Sequence, residues 1–398
     1  MTGMASPRRI AALVVLVGVT CALHIGKLPP AVRALQVDLH ISLIQAGFLL
    51  SLVQLAGMFL GLVVGLGADR YGPRRVSLVG LLIMSLGSAW GGLAHSTESL
   101  LISRAVEGLG FLLAVLPAPA LIRLHVRHDD HLLVKALGWW GAYMPLGTAL
   151  ALLLAAPVID AWGWRAVWFG LAALSLVAAC LMAWGVPSTS AGERGGAALW
   201  PRLRKTLSTT GPWLVAVAFL LYSGQWLAVV GFLPTIFVDA GLGGVAAAWL
   251  SALAAAVNMV GNIGAGRLVA HGVRPLVLLR VAYACMLVGA VLAFAPGGPF
   301  LVRYLGVLAF SGVGGLIPGT LFGLAVRLAP GDDTVSTTVG WMQQLSALGQ
   351  FSGPPIVAWL ATRVGGWQWS WVVTGASSLL GLWVAQRIHA ALAVHAKR

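Results

Sequence analysis

Apolar stretches long enough to cross a bilayer follow one another along the whole of this chain, joined by short polar segments. No soluble fold tolerates that pattern. A spanning helix needs about 20 mostly apolar residues, and only helices and closed barrels satisfy every backbone N–H and C=O inside lipid. Composition agrees: of 398 residues, 59% are hydrophobic and 9% charged, and mean hydropathy is +0.92. An ordinary soluble domain carries about 25% charged residues, and a disordered chain is far less apolar than this one. A barrel would alternate apolar and polar residues in strands of about ten. These runs are continuous, so the fold class predicted is an all-α membrane protein. Its 51 glycines suit the close helix–helix approach that lipid favours. Cys21, Cys180 and Cys285 lie far apart in apolar stretches, which argues against a disulfide framework or a thiolate metal site.

Twelve transmembrane helices are predicted, at residues 10–36, 42–66, 75–94, 99–122, 135–159, 165–186, 211–238, 245–269, 275–295, 300–328, 335–361 and 368–389. The one long polar segment, 187–210, holds Ser188, Glu193, Arg194, Arg202, Arg204 and Lys205, and separates a six-helix bundle at 1–186 from another at 211–398. The apolar run after Arg8 and Arg9 begins like a signal peptide but continues as the first span. With the N-terminus in the cytoplasm, every Lys and Arg falls inside except Lys27, Arg33, Arg104, Arg165, Arg303 and Arg363. That asymmetry orients both termini inward and accounts for the formal net charge of +14 without a nucleic-acid partner. The halves also repeat. Gly61 aligns with Gly261, Gly72 with Gly272 and Arg74 with Arg274; with slight drift, Arg104 meets Arg303 and Pro117 meets Pro318. Two parallel six-helix halves are the architecture of a rocking transporter with its site where the repeats meet.

The most specific local pattern runs from Gly65 through Asp69, Arg70, Gly72 and Pro73 to Arg74 and Arg75, between the second and third spans. Gly72-Pro73 makes a tight turn, and Asp69 is the one acid among three arginines. This loop resembles the signature loop of the major facilitator superfamily. Arg104-x-x-Glu107-Gly108-x-Gly110 and Gly163-Trp164-Arg165 extend the resemblance. It implies alternating access, a cavity lined by spans one, four, seven and ten, a monomer without cofactor, and an inner-membrane location. It further implies that Gly65, Asp69, Arg70, Gly72, Arg74 and Arg75 form a gate stabilising the outward-facing state. The second-half copy keeps Gly272 and Arg274 but has Leu268-Val269-Ala270 where the acid would recur, so gating is expected to be asymmetric. His24-Ile25-Gly26-Lys27-Leu28-Pro29-Pro30 is similar to importers grouped around cyanate and related small anions. Gly138, Gly141, Pro145 and Gly147 partly resemble the glycine-proline motif of drug antiporters, without its adjacent Gly-Pro.

Ionisable residues inside a membrane are costly and mark function by default. His24 and Lys27 are three apart on span one, and Arg104 and Glu107 three apart on span four, so each pair shares a helix face. Counting along the helices puts both pairs at similar depth, toward the outer side. The bland alternatives are a snorkelling Lys27, a structural Arg104–Glu107 pair and a packing His24. The second half offers Arg303 and neutral groups: Tyr222, Gln225, Trp226, Asn258, Asn262, Trp341, Gln343 and Gln344. The expected substrate contacts are His24, Lys27, Arg104, Glu107, Tyr222, Gln225, Trp226, Asn258 and Gln343, with Glu107 or His24 carrying a coupled proton. Surplus positive charge favours anions. His125, His128 and His131 have a metal-like spacing beside Asp129 and Asp130, but read as a solvated loop. No phosphate-binding loop occurs, which leaves ATP-driven transport unsupported. The expectation is a secondary transporter, not an enzyme, that moves a small organic or inorganic anion with protons and needs no metal or cofactor. The rival is proton-driven efflux of cationic or hydrophobic drugs.

Overall fold

A computed structural model describes residues 6–126, 129–187 and 199–395, and all regular structure among them is helical. The first part comprises α1 (Pro7–Gly26), α2 (Leu28–Leu39), α3 (Leu43–Ser51), α4 (Leu55–Tyr71), α5 (Pro73–Gly92), α6 (Thr97–Val115), α7 (Ala118–Val126), α8 (Asp130–Gly141), α9 (Tyr143–Trp162) and α10 (Trp164–Gly185). A short α11 (Leu199–Leu207) precedes α12 (Thr210–Asp239), α13 (Gly244–Ala256), α14 (Asn258–Ala270), α15 (Pro275–Phe294), α16 (Phe300–Gly314), α17 (Leu316–Arg327), α18 (Val335–Val364) and α19 (Ser370–His395).

Ten helical runs among the described residues are long and apolar enough to cross a membrane. Five of them are broken rods: α1–α2, α3–α4, α6–α7, α13–α14 and α16–α17. The expectation of twelve crossings therefore meets ten runs of this quality. α18 and α19 are long, at 30 and 26 residues, but fall outside the ten. α18 carries Thr337, Thr338, Gln343, Gln344, Ser346 and Gln350, and α19 carries Gln386, Arg387 and His389.

The breaks have identifiable causes. Pro29 and Pro30 open α2 and lack the N–H groups that would bond the carbonyls of Ile25 and Gly26. The rod therefore breaks at Lys27, although Lys27 keeps helical dihedrals (φ −66°, ψ −29°) and the helix does not end there. Pro117 lies in the α6–α7 break, and Pro318 lies in the first turn of α17. The proline pair aligned by the sequence repeat thus marks corresponding breaks in the two halves.

The described chain packs as two compact units that do not divide at a single point. Among the described residues, unit one holds those of 6–42, 52–187 and 233–252, and unit two those of 43–51, 199–232 and 253–395. Within unit one, α5 lies against α6 and α10, and α1 lies against α9 and α10. Within unit two, α15 lies against α16 and α19, and α3 lies along α18. The Gly163-Trp164-Arg165 segment ties unit one together at one end. Trp164 Nε1 and Arg165 Nη1 both donate to Asp38 Oδ2, at 2.9 and 2.6 Å, while Arg165 Nη2 donates to the Ala94 carbonyl at 3.0 Å.

The motif between α4 and α5 is a turn on Gly72, whose φ of +90° strains any residue with a Cβ. Pro73 then starts α5 where no N–H is needed. Gly72→Val is expected to lower stability by about 1–3 kcal/mol. Gly138→Ala, at a helical position where a Cβ meets nothing within 4 Å, should be neutral or slightly stabilising; thermal unfolding of the purified protein separates the two.

Candidate functional site

α1 and α6 bring four ionisable side chains together inside unit one. His24, Lys27 and Glu107 are 0% exposed and Arg104 is 1% exposed. Lys27 Nζ donates to Glu107 Oε1 at 2.6 Å, and Arg104 Nη1 donates to the other oxygen, Oε2. His24 Nδ1 lies 3.7 Å from that same Oε2. One carboxylate therefore serves two cations, one on each oxygen, and with a neutral imidazole the cluster carries a surplus positive charge.

Two serines complete the shell. Ser88 on α5 donates to the Trp168 carbonyl at 2.8 Å, which leaves its lone pairs to accept from Lys27 Nζ at 2.9 Å. The ammonium also sits 4.4 Å from the centroid of the Trp168 ring, whose face attracts cations. On the other side, His24 Nε2 shares a 2.8 Å hydrogen bond with Ser175 Oγ on α10. The close approach of α5 to α6 depends on Gly87. A Cβ there would lie 2.9 Å from the Glu107 backbone nitrogen and 3.2 Å from its Cγ. Because nothing but protein surrounds these charges, each needs its partner. Removing one member of a buried ionic group leaves an uncompensated charge.

The sequence reading of convergence holds for these four residues, and two of its details change. Lys27 does not snorkel: it is sealed and engaged. Arg303 does not mirror Arg104. It sits in the first turn of α16, half-buried, and donates from Nε to the Ala293 carbonyl near the end of α15 at 2.9 Å. Three residues into its helix it is about 5 Å along, whereas Arg104, seven residues into α6, is about 11 Å along.

Unit two holds a neutral network instead. Asn258 Nδ2 donates to the Ser311 carbonyl at 2.7 Å and to Tyr222 Oη at 2.9 Å, and Trp226 Nε1 donates to Ser311 Oγ at 3.0 Å. Asn262 Nδ2 reaches Asn258 Oδ1 at 3.4 Å. Gln225 is turned away, accepting from Ser378 Oγ on α19 at 3.0 Å. Gln343 lies half-buried on α18 and takes no part in the hydrogen bonds described for this network. Tyr222, Trp226 and Asn258 thus come together, while Gln225 and Gln343 do not join them.

In the turn motif, Arg70 and Arg75 are exposed, and Arg74 Nη2 donates to the Ala183 carbonyl near the end of α10. The side chain of Asp69 and the details of Gly65 lie outside the described residues. So does His128, and the His131 side chain is likewise outside them. His125 Nδ1 pairs with the Leu121 carbonyl at 3.0 Å, and no metal-holding group occurs among the described residues. Sequence reasoning missed Ser88, Trp168, Ser175 and Ser311. The available signal was a polar residue beside small ones on an apolar helix: Gly80, Gly87 and Gly91 share a face of α5, and Ser88 follows Gly87.

Comparison with known proteins gives a family match and a set of relatives. The profile of the Major Facilitator Superfamily matches residues 10–354. Multidrug resistance protein Stp of Mycobacterium tuberculosis is 33% identical over 26% of this chain, a match spanning 19% of that protein's length. Monocarboxylate transporter 11 of Mus musculus is 28% identical over 82% of this chain and 74% of its own length. Among solved structures, a mutant form of the nucleoside transporter NupG superposes with a TM-score of 0.77 at 11% identity, covering 96% of this chain and 99% of that one. A D-xylose-proton symporter superposes with a TM-score of 0.73 at 17% identity, covering 96% of each chain. These superpositions establish the fold alone.

Glu107→Ala is expected to destabilise the protein by about 3–5 kcal/mol by stranding two buried cations. Adding Lys27→Met to it should restore part of that loss. Unfolding midpoints of the single and double variants test the coupling.

Proposed function

The chain belongs to the Major Facilitator Superfamily, and from that premise we propose that it is a secondary transporter carrying a small organic anion together with a proton. The observation that carries this reading is the single carboxylate of Glu107 shared between Lys27 and Arg104 in a sealed site. While Glu107 is ionised, both cations are occupied. A proton on Glu107 removes its charge from both at once. Two buried cations then lack a counter-ion, and a substrate carboxylate can take the vacated position. Arg104 offers it a planar fork and Lys27 a point charge. Loss of the proton restores Glu107 as the partner and displaces the anion. His24, near Oε2 and hydrogen-bonded to Ser175, is the group suited to pass the proton. One monoanion travels with one proton, so net charge moved is zero.

Within unit two, Tyr222, Trp226 and Asn258 are proposed solute contacts through hydrogen bonds and aromatic surface, whereas Gln225, engaged by Ser378, and Gln343, outside the network, are set aside. We infer twelve spans, with α18 and α19 as the last two, and halves divided at 187–210. In this reading the protein is a monomer of the inner membrane with both termini cytoplasmic. The turn motif, with Gly65, Asp69, Arg70, Gly72, Arg74 and Arg75, acts as a gate of alternating access. The likeness to a monocarboxylate transporter over 82% of this chain supports an anion as cargo. Drug efflux is the second reading, favoured by partial likeness to resistance proteins, including the tetracenomycin C resistance and export protein of Streptomyces glaucescens. Under it Glu107 would bind a cationic drug. That role would compete with the two cations already on its oxygens.

Proteoliposome uptake of a panel of radiolabelled monocarboxylates, with and without an inward proton gradient, tests the proposal. Uptake should rise as the outside is acidified. Lys27→Ala and Arg104→Ala should each lower it by at least about tenfold, or roughly 1.4 kcal/mol, with membrane insertion retained. Glu107→Gln should keep anion exchange but lose the response to the gradient. Full anion uptake in both cation variants, or cationic-drug transport that depends on Glu107, would overturn it.

A further inference from the structure

We propose that α11 is a docking site for an anionic phospholipid headgroup, held by Trp200 and Arg204. The helix is short, basic and two-faced, and only one face is packed. Thr206 is fully buried, with its Oγ1 2.6 Å from Thr337 Oγ1 at the start of α18. Lys205 Nζ donates to Asp333 Oδ1 at 3.3 Å, and Trp213 Nε1 of α12 donates to the Leu207 carbonyl at 2.8 Å. These contacts pin α11 to unit two and fix which side it turns outward.

The outward side carries Trp200, which is 72% exposed, and Arg204, also exposed. They stand at i and i+4, one above the other on the helix surface. An aromatic ring with one N–H donor beside a guanidinium fork suits a lipid phosphate. The indole sits at the headgroup level, and the fork takes two phosphate oxygens. The local charge balance agrees. Arg202, Arg204 and Lys205 lie on α11, and Lys205 already occupies Asp333.

The covalent chain supplies the reason to choose lipid over a soluble anion. Only Ser208 and Thr209 separate α11 from α12, a helix long and apolar enough to cross the membrane. Such a link spans about 10 Å at most. α11 therefore stays at the end of a span, where headgroup phosphates are concentrated and basic residues are drawn to them. Its pinning to the start of α18 means that a bound lipid also braces that helix.

The test is thermal unfolding of the purified full-length protein in detergent. Phosphatidylglycerol, phosphatidylcholine with the same acyl chains, or inorganic phosphate is titrated in. Ligands that bind the native state raise its midpoint. The expected result is a larger rise with phosphatidylglycerol than with phosphatidylcholine, and none with phosphate. The Trp200→Ala, Arg204→Gln double variant should lose at least half of that difference. Arg267→Gln, an exposed cation at the end of α14, should keep it. If the double variant folds poorly, Arg204→Gln alone is read in the same way. A phosphatidylglycerol-specific rise kept in full by the variant, or matched by inorganic phosphate, would overturn the proposal.

Discussion

The Glu107 carboxylate, sealed from solvent with Lys27 on one oxygen and Arg104 on the other, sets the terms for the rest of unit one. In so apolar a surrounding, none of the three charges is stable without the others. Holding them in register requires α1 and α6 to be adjacent, and their remaining donors and acceptors to be met. α5 supplies Ser88 and, through Gly87, the close approach that brings it there. α10 supplies Ser175 and the Trp168 carbonyl and ring. The four-helix arrangement is thus dictated by one ionic group. Any change that removes one of these charges also loosens the packing of α1 against α6.

Unit two repeats the helical plan without the charge. Its network rests on Asn258, Tyr222, Trp226 and Ser311, all neutral, and its arginine candidate, Arg303, caps a helix end. A neutral hydrogen-bonded network can be opened at modest cost, since each bond contributes roughly 1 kcal/mol. An ionic one cannot. Unit one therefore holds a charge-dependent core, and unit two a neutral polar and aromatic network. The α6–α7 break near Pro117 and the α16–α17 break near Pro318 stand at aligned prolines, whereas the break at Lys27 faces an unbroken α12 at the repeat offset.

Much of this was legible from residue order. Long apolar runs declare spanning helices because lipid leaves no other way to satisfy the backbone. The spacing of His24 with Lys27, and of Arg104 with Glu107, declares a shared face by helix geometry alone. The limits of legibility are equally specific. Repeat alignment made Arg303 a partner of Arg104, because alignment is blind to where each helix starts. Ser88 and Ser175 gave little signal, since a lone serine in an apolar helix is common and its partner lies far away in sequence.

The sequence by itself determined the solvent, the secondary structure and the family, because each depends on periodicity, run length or a local turn such as Gly72-Pro73. Tertiary structure alone decided what the charges do. Whether Lys27 meets lipid, water or Glu107 depends on which helices stand beside α1 and on what their small residues allow. That outcome rests on contacts between residues 80 positions apart, as in the Lys27–Glu107 pair, and on others 151 apart, as in His24 with Ser175. Local rules do not reach that far: pairing of buried polar groups is settled by the whole packed arrangement, since each must find a partner somewhere within it.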